Sequence, residues 1–174
     1  MTPPTPVNFP YLSRGFASMA NQLRPVGLDF IDTAPVRLIF TREMSAAPEA
    51  VFHALNDDVP GWAEWFSAVT SARSVDDGAG RDIRLTGGGH FRETVIAAKS
   101  AEVYAYRVDV TNAPGARAMA EEWRLSPAGS GTRVQWTFAV DGTAVFRGVV
   151  RVARPGLGRA FRGAVTALDR RLVG

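Results

Sequence analysis

Between Phe91 and Val140 the chain alternates apolar and polar positions with a period of two through four successive segments. Phe91, Glu93 and Val95 share one parity, as do Tyr104, Tyr106, Val108 and Val110, then Met119, Glu121, Trp123 and Leu125, then Val134, Trp136, Phe138 and Val140. Arg92, Thr94, Arg107, Asp109, Glu122, Arg124, Arg133, Gln135 and Thr137 take the other parity. This is the signature of antiparallel strands with one covered face and one wet face. Glu93 and Glu121 fall on the covered side beside two tyrosines, so that side predicts a partly polar cavity and not a uniform core.

Further strands are expected over Val36–Met44, Ala68–Val75 and Arg81–Thr86, joining Phe91–Ala97, Val103–Val110, Met119–Leu125 and Thr132–Val140. Asp76–Gly80, Gly87–Gly89 and Pro127–Gly131 carry the Gly, Pro and Asp chemistry of hairpin turns. After the first strand, Pro48 suits an opening helical position, Glu49 favours the positive end of the helix dipole, and Val51, Phe52 and Leu55 make one apolar face. Asn56, Asp57, Asp58, Pro60 and Gly61 end that helix, and Gly61–Phe66 predicts a second short one with Trp62, Trp65 and Phe66 on a shared side. From Pro155 a long helix presents Leu157, Phe161, Val165, Leu168 and Leu172, a stripe that must cover the sheet because one apolar sheet face needs a second layer. Residues 1–34 read as an N-terminal extension with a proline-rich start, a short helix over Ser13–Leu23, and Pro25 and Gly27 as breakers. The expected organisation is that extension followed by one domain, 35–174.

The order strand, two short helices, six strands and long terminal helix resembles the START-like (SRPBCC) superfamily. This is the helix-grip fold of polyketide cyclase/dehydrase-like proteins, Bet v 1-type allergens and lipid-transfer domains. The residues that carry the resemblance are Ala47-Pro48-Glu49-Ala50-Val51-Phe52, Trp62-Ala63-Glu64-Trp65, Gly131-Thr132-Arg133-Val134 and the final amphipathic helix. It implies an α+β fold in which a seven-stranded antiparallel sheet wraps around the C-terminal helix and encloses a cavity; it does not fix the function.

The 174 residues suit one domain, and 46% hydrophobic content with four Trp and ten Phe excludes general disorder. No run approaches a membrane span, and Met1 to Pro10 lacks the layout of a secretory signal, so the expected compartment is the cytoplasm. The absence of cysteine removes disulfides, thiolate zinc sites and thiol catalysis. Of 20 basic residues all but Lys99 are Arg, and between Asp141 and Gly174 seven Arg face only Asp141 and Asp169. The C-terminal helix could contact an anionic membrane weakly. Of the aromatics at this end Phe161 belongs to the apolar stripe, so the arginines lack the stacking platform that single-strand nucleic-acid binding would require and no nucleic-acid partner is expected.

The candidate ligand-binding residues are Trp62, Phe66, Glu93, Tyr104, Tyr106, Glu121, Trp123 and Trp136. A carboxylate in an apolar enclosure demands a partner, which for Glu93 and Glu121 is a ligand, water at a strand end, or Arg42. Tyr104 and Tyr106 lie two apart on one face and point their hydroxyls into the same space, with a glutamate as acceptor. His53 and His90 read as surface or rim residues, Gly87–Gly89 as a hairpin turn and not a phosphate loop, and neither a metal nor a cofactor is expected. The leading reading is an intracellular protein holding a small hydrophobic ligand: lipid, polyketide or aromatic metabolite. The alternatives are a cyclase/dehydratase using Glu93, Glu121 and Tyr106 on a ketide, and a membrane-associated lipid carrier.

Overall fold

The computed structural model describes residues 20–174. Its strands are β1 (Asn21–Gln22), β2 (Val36–Met44), β3 (Val69–Val75), β4 (Gly80–Leu85), β5 (His90–Lys99), β6 (Val103–Thr111), β7 (Ala116–Ala128) and β8 (Gly131–Gly142). The helices are α1 (Asp29–Thr33), α2 (Pro48–Asn56), α3 (Trp62–Trp65), α4 (Ala144–Val152) and α5 (Arg154–Val173). All pairings are antiparallel, in the order β2-β8-β7-β6-β5-β4-β3, with β1 added to β6. The expected α+β helix-grip architecture is therefore present, with α5 seated in the concave face of the sheet.

The alternation places side chains as expected. Tyr104, Tyr106, Val108, Met119, Trp123, Val134, Trp136, Phe138 and Val140 are buried in one cluster that also takes Phe161, Ala164, Val165 and Leu168 from α5. Phe161 stands at the centre of the grip, with its ring 5.9–6.0 Å from those of Phe40, Trp123 and Trp136. Gly158 lies one turn earlier, where an added Cβ would come 3.0 Å from the Phe40 ring, so its lack of a side chain sets how closely α5 approaches β2. At the other end Asp169 accepts hydrogen bonds from the backbone amides of Ser45 and Ala46, at 2.9 Å each to Oδ1, and ties α5 to the start of α2.

Three expectations are corrected. The helix over Ser13–Leu23 falls mostly outside the described residues, and within them Asn21–Gln22 is strand, followed by Leu23 donating its amide to Asp109. The outer face of the sheet is not wet throughout: Val26, Phe30, Ile31 and Ala34 bury Ala118, Ala120 and Ala139 beneath α1. Small residues on the outward parity of β7 and β8 let a short helix lie flat there. The connection before Pro155 contains α4, capped by Thr143, whose Oγ1 accepts the Phe146 amide.

Phe161→Ala should cost about 3–5 kcal/mol, the range for truncating a buried aromatic. Urea denaturation would measure it, and a loss below about 1 kcal/mol would show that α5 is not held by this ring.

Candidate functional site

β4 and β5 form a hairpin whose register sets Arg81 directly opposite Glu93 on the covered face. Arg81 shares the parity of Ile83 and Leu85, and it is only 2% exposed. Gly80, just before it, runs so close to β5 that a Cβ would lie 2.7 Å from the Glu93 carbonyl oxygen. A larger residue there would push the two strands apart beside the ion pair.

The guanidinium donates from Nε (2.8 Å) and Nη2 to a single oxygen, Oε2 of Glu93. Its Cζ lies 3.9 Å from the centre of the Tyr106 ring and 4.4 Å from that of Trp62, so aromatic faces replace part of the lost hydration. The remaining amino nitrogen, Nη1, is buried without a hydrogen-bond partner among the described residues. A second carboxylate stands nearby on β7. Oε2 of Glu121 accepts from the Tyr106 hydroxyl at 2.7 Å and from Trp136 Nε1 at 2.9 Å, and the Tyr106 oxygen accepts from Trp123 Nε1 at 3.1 Å. One guanidinium thus pairs with Glu93 and lies in the field of a second acid, Glu121, whose own partners are Tyr106 and Trp136.

Burial raises the pKa of both acids. Glu93 is pushed up to about 7, by desolvation first and by the charge of Glu121, with Arg81 pulling the other way. Glu121 is also raised by desolvation, although its bonds from Tyr106 and Trp136 and the charge of Arg81 oppose this. Burial pulls the pKa of Arg81 down, but Glu93, Tyr106 and Tyr104 together outweigh it and the guanidinium stays protonated. Tyr106 is held well above its usual range by burial and by Glu121, so it acts as a neutral donor.

These groups form one end of a cavity of about 150 Å³. Arg81, Glu93, Glu121 and Tyr106 supply its polar groups; Trp62, Phe66 and Trp136 are aromatic walls, and Ile83, Leu85, Phe91, Phe138 and Leu157 complete an apolar lining. Six of the eight candidates from sequence meet here. Tyr104 and Trp123 do not reach the cavity: Tyr104 packs against Tyr106 and Phe52, and Trp123 lies behind, stacked on Trp136 at 5.7 Å. Arg42 is not the partner of either glutamate, since it donates to the Arg162 carbonyl at 3.3 Å at the edge of α5. Arg81, the residue that does the pairing, was missed, although Ile83 and Leu85 on the same parity signalled its direction.

His90 pairs with Asp82 at 3.1 Å and His53 is exposed near Asp57; neither histidine lines the cavity. Among the described residues no three His, Asp or Glu side chains are grouped to hold a metal ion. No described helix is long and apolar enough to cross a membrane.

A curved sheet gripping a terminal helix around a part-polar cavity defines the START/Bet v 1 class of fold. Residues 36–173 match the family described as polyketide cyclase / dehydrase and lipid transport, and the chain belongs to that family. An uncharacterized protein of Mycobacterium tuberculosis is 31% identical over 149 residues, covering 83% of this chain and 89% of that protein. A START superfamily protein from Mycobacterium smegmatis superposes with a TM-score of 0.63 at 14% identity, over 78% of this chain and 96% of its own. The major latex-like protein 151 of Panax ginseng gives 0.62 at 7% identity, over 80% and 98%. At such identities the structural likeness is one of fold alone.

Loss of the acceptor and loss of the charge should be separable at Glu93. Glu93→Leu strands a buried guanidinium and should cost about 3–5 kcal/mol, and the paired change Arg81→Met with Glu93→Leu should recover most of it. Glu93→Gln keeps an acceptor for Arg81 where the native carboxyl is itself part-protonated near pH 7, and Glu121→Gln keeps one for Tyr106 and Trp136, so each should cost about 1 kcal/mol or less. Equal losses for Glu93→Leu and Glu93→Gln in urea denaturation would contradict this distinction.

Stability should also fall as pH rises from about 4.5, the ordinary glutamate value, to about 7, because the native Glu93 carboxyl binds a proton that the unfolded chain has already released. Asp82 is lowered, net, by His90 and nearby arginines against its own desolvation, and it acts only at more acid pH. Denaturation midpoints across that window should decline less in Glu93→Gln and Glu121→Gln than in the parent; parallel curves would count against the raised carboxyls.

Proposed function

We propose that the protein binds a small hydrophobic molecule, about one ring in size, with a neutral carbonyl oxygen directed at Arg81. The observation that carries this reading is Nη1 of Arg81, a buried donor left without a partner in an otherwise apolar cavity. Such a donor costs roughly 1–3 kcal/mol, more when charged, unless an acceptor meets it. Size narrows the ligand. A dry cavity of about 150 Å³ accommodates a benzene-sized molecule, well below the roughly 300–1,000 Å³ of drug-sized sites, so an extended poly-β-ketone or a diacyl lipid needs the helices to part.

Charge narrows it further. Glu93 already pairs with Arg81 and Glu121 stands nearby, so a ligand carboxylate would crowd a third acidic group, with its repulsion, against one cation. A ketone, ester or aldehyde oxygen accepts from Nη1 without that repulsion.

A second reading is favoured by one observation, the Glu93 carboxyl raised to about 7 beside Arg81. A carboxylate so poised can take a proton from the carbon next to a bound carbonyl near neutral pH while the guanidinium stabilises the enolate oxygen. This is the chemistry of a cyclase or dehydratase acting on a short ketide.

Titration calorimetry with aryl ketones, matching aryl carboxylates and the parent hydrocarbons tests the binding reading. Ketones should bind about tenfold or more tighter than hydrocarbons or carboxylates, and Arg81→Met with Glu93→Leu should erase the preference. Carboxylates binding best would overturn the assignment of a neutral acceptor. Exchange of ketone α-protons for deuterium, accelerated by the parent and lost in Glu93→Gln, would favour the enzyme.

A further inference from the structure

Helix α4 buries Phe146 and Val150 against the body of the protein but leaves Val145, Val149 and Val152 exposed at 76%, 61% and 82%. No other large apolar side chain among the described residues is as exposed as these three. Their spacing of four and three places them in one ridge along the helix. Pro114, on the loop before β7, flanks the ridge across a shallow groove that also includes Thr143 and Phe146. On the far side of the solvent-facing half, separated from the valines by Gly148, helical periodicity sets Arg147 and Arg151. Arg147 has Asp141 at 3.5 Å, whereas Arg151 donates to the Pro35 carbonyl, and Arg154, just beyond the helix, lies over the Phe40 ring.

We propose that α4 is an interfacial anchor that lays its valine ridge into the surface of an anionic lipid bilayer, with Arg147, Arg151 and Arg154 against the headgroups. An apolar ridge beside arginines suits this boundary, because the long basic side chains can bury their stems and keep their charge among phosphates. The charge of this end agrees, since seven Arg lie between Asp141 and Gly174 against two Asp. A second copy of the chain fits less well. Three exposed valines fall far short of the roughly 800 Å² per partner of a stable interface. Membrane contact thus moves from the terminal helix, where composition alone suggests it, to the helix before it, which carries the exposed valine ridge.

The test is flotation of the full chain with vesicles of phosphatidylglycerol and phosphatidylcholine, or of phosphatidylcholine alone. The protein should float with the anionic vesicles, and far less with neutral vesicles or in high salt. Val149→Asp with Val152→Asp should lower partition roughly tenfold or more, since it puts charge into the embedded face, and both positions are too exposed to affect folding. Arg147→Gln with Arg151→Gln should remove the preference for anionic lipid. Arg81→Met with Glu93→Leu should float like the parent, which separates this proposal from the cavity reading. Absence of flotation at low salt, or undiminished flotation of the aspartate variant, would overturn it. So would a parent dimer in analytical ultracentrifugation that the aspartate variant dissociates, because the ridge would then be a protein interface.

Discussion

A guanidinium taken out of water loses several kcal/mol of hydration, and much of this protein's interior is arranged around one such group. Arg81 receives a carboxylate directly across the β4–β5 ladder, two aromatic faces within 4.4 Å, and the charge of a second acid on β7 that is bonded elsewhere. Each provision constrains the next. Glu93 can stand opposite only because Gly80 lets the strands close up. Glu121 is held by Tyr106 and Trp136, which in turn need Trp123 and Phe161 behind them to fix their rings. The aromatic density of the core is thus the scaffold of a polar site as well as a source of apolar burial. Fixing the donors in advance lowers the cost of ordering them when a ligand enters.

Much of the fold was legible because one face of the sheet is buried, and a buried face forces a strict alternation that a one-residue slip would invert. The inward positions of β6, β7 and β8 could be read from Tyr106, Glu121 and Trp136 alone. What failed were judgements where the pattern is short or mixed. β4 offers only Arg81, Ile83 and Leu85 on its inward side, and a charged residue at the head of so brief an alternation looks like a strand end facing water. Arg42, at the end of a long and regular strand, looked the better partner, yet the packing of α5 draws it to the Arg162 carbonyl. The cover supplied by α1 was written in Ala118, Ala120 and Ala139, whose small side chains break the polar parity without the bulk that marks a core. Helix α4 escaped because Gly148 and its β-branched valines have weak helix propensity, and Thr143 capping with burial of Phe146 and Val150 overrides it.

Family membership and cavity geometry constrain the function in different ways. The family spans ketide chemistry and lipid transport, ligands that differ severalfold in volume, and belonging to it does not choose between them. On the binding reading proposed above, the cavity of about 150 Å³ favours something near the size of a single ring. Larger members of either class require α3 and α5 to separate, and Arg171 resists that by bridging Asp58 and Glu64 across the two. The same bridge lies away from Leu157, the residue of α5 that lines the cavity, so the N-terminal end of α5 is the less restrained way in.

That end is also where α4 joins α5, with Ala153 alone between them. A ridge seated on lipid would therefore bring the Leu157 end of the cavity close to the bilayer, the phase in which an aryl ketone concentrates. Entry from that side avoids carrying an apolar ligand through water, and the ligand's single acceptor then has one destination, because Arg81 Nη1 is the unpartnered donor in the cavity wall. Under this arrangement the membrane need not supply the ligand as a lipid molecule. On that proposal it would act as a solvent that gathers small hydrophobic carbonyl compounds, while a cavity of about 150 Å³ would leave the lipids themselves outside.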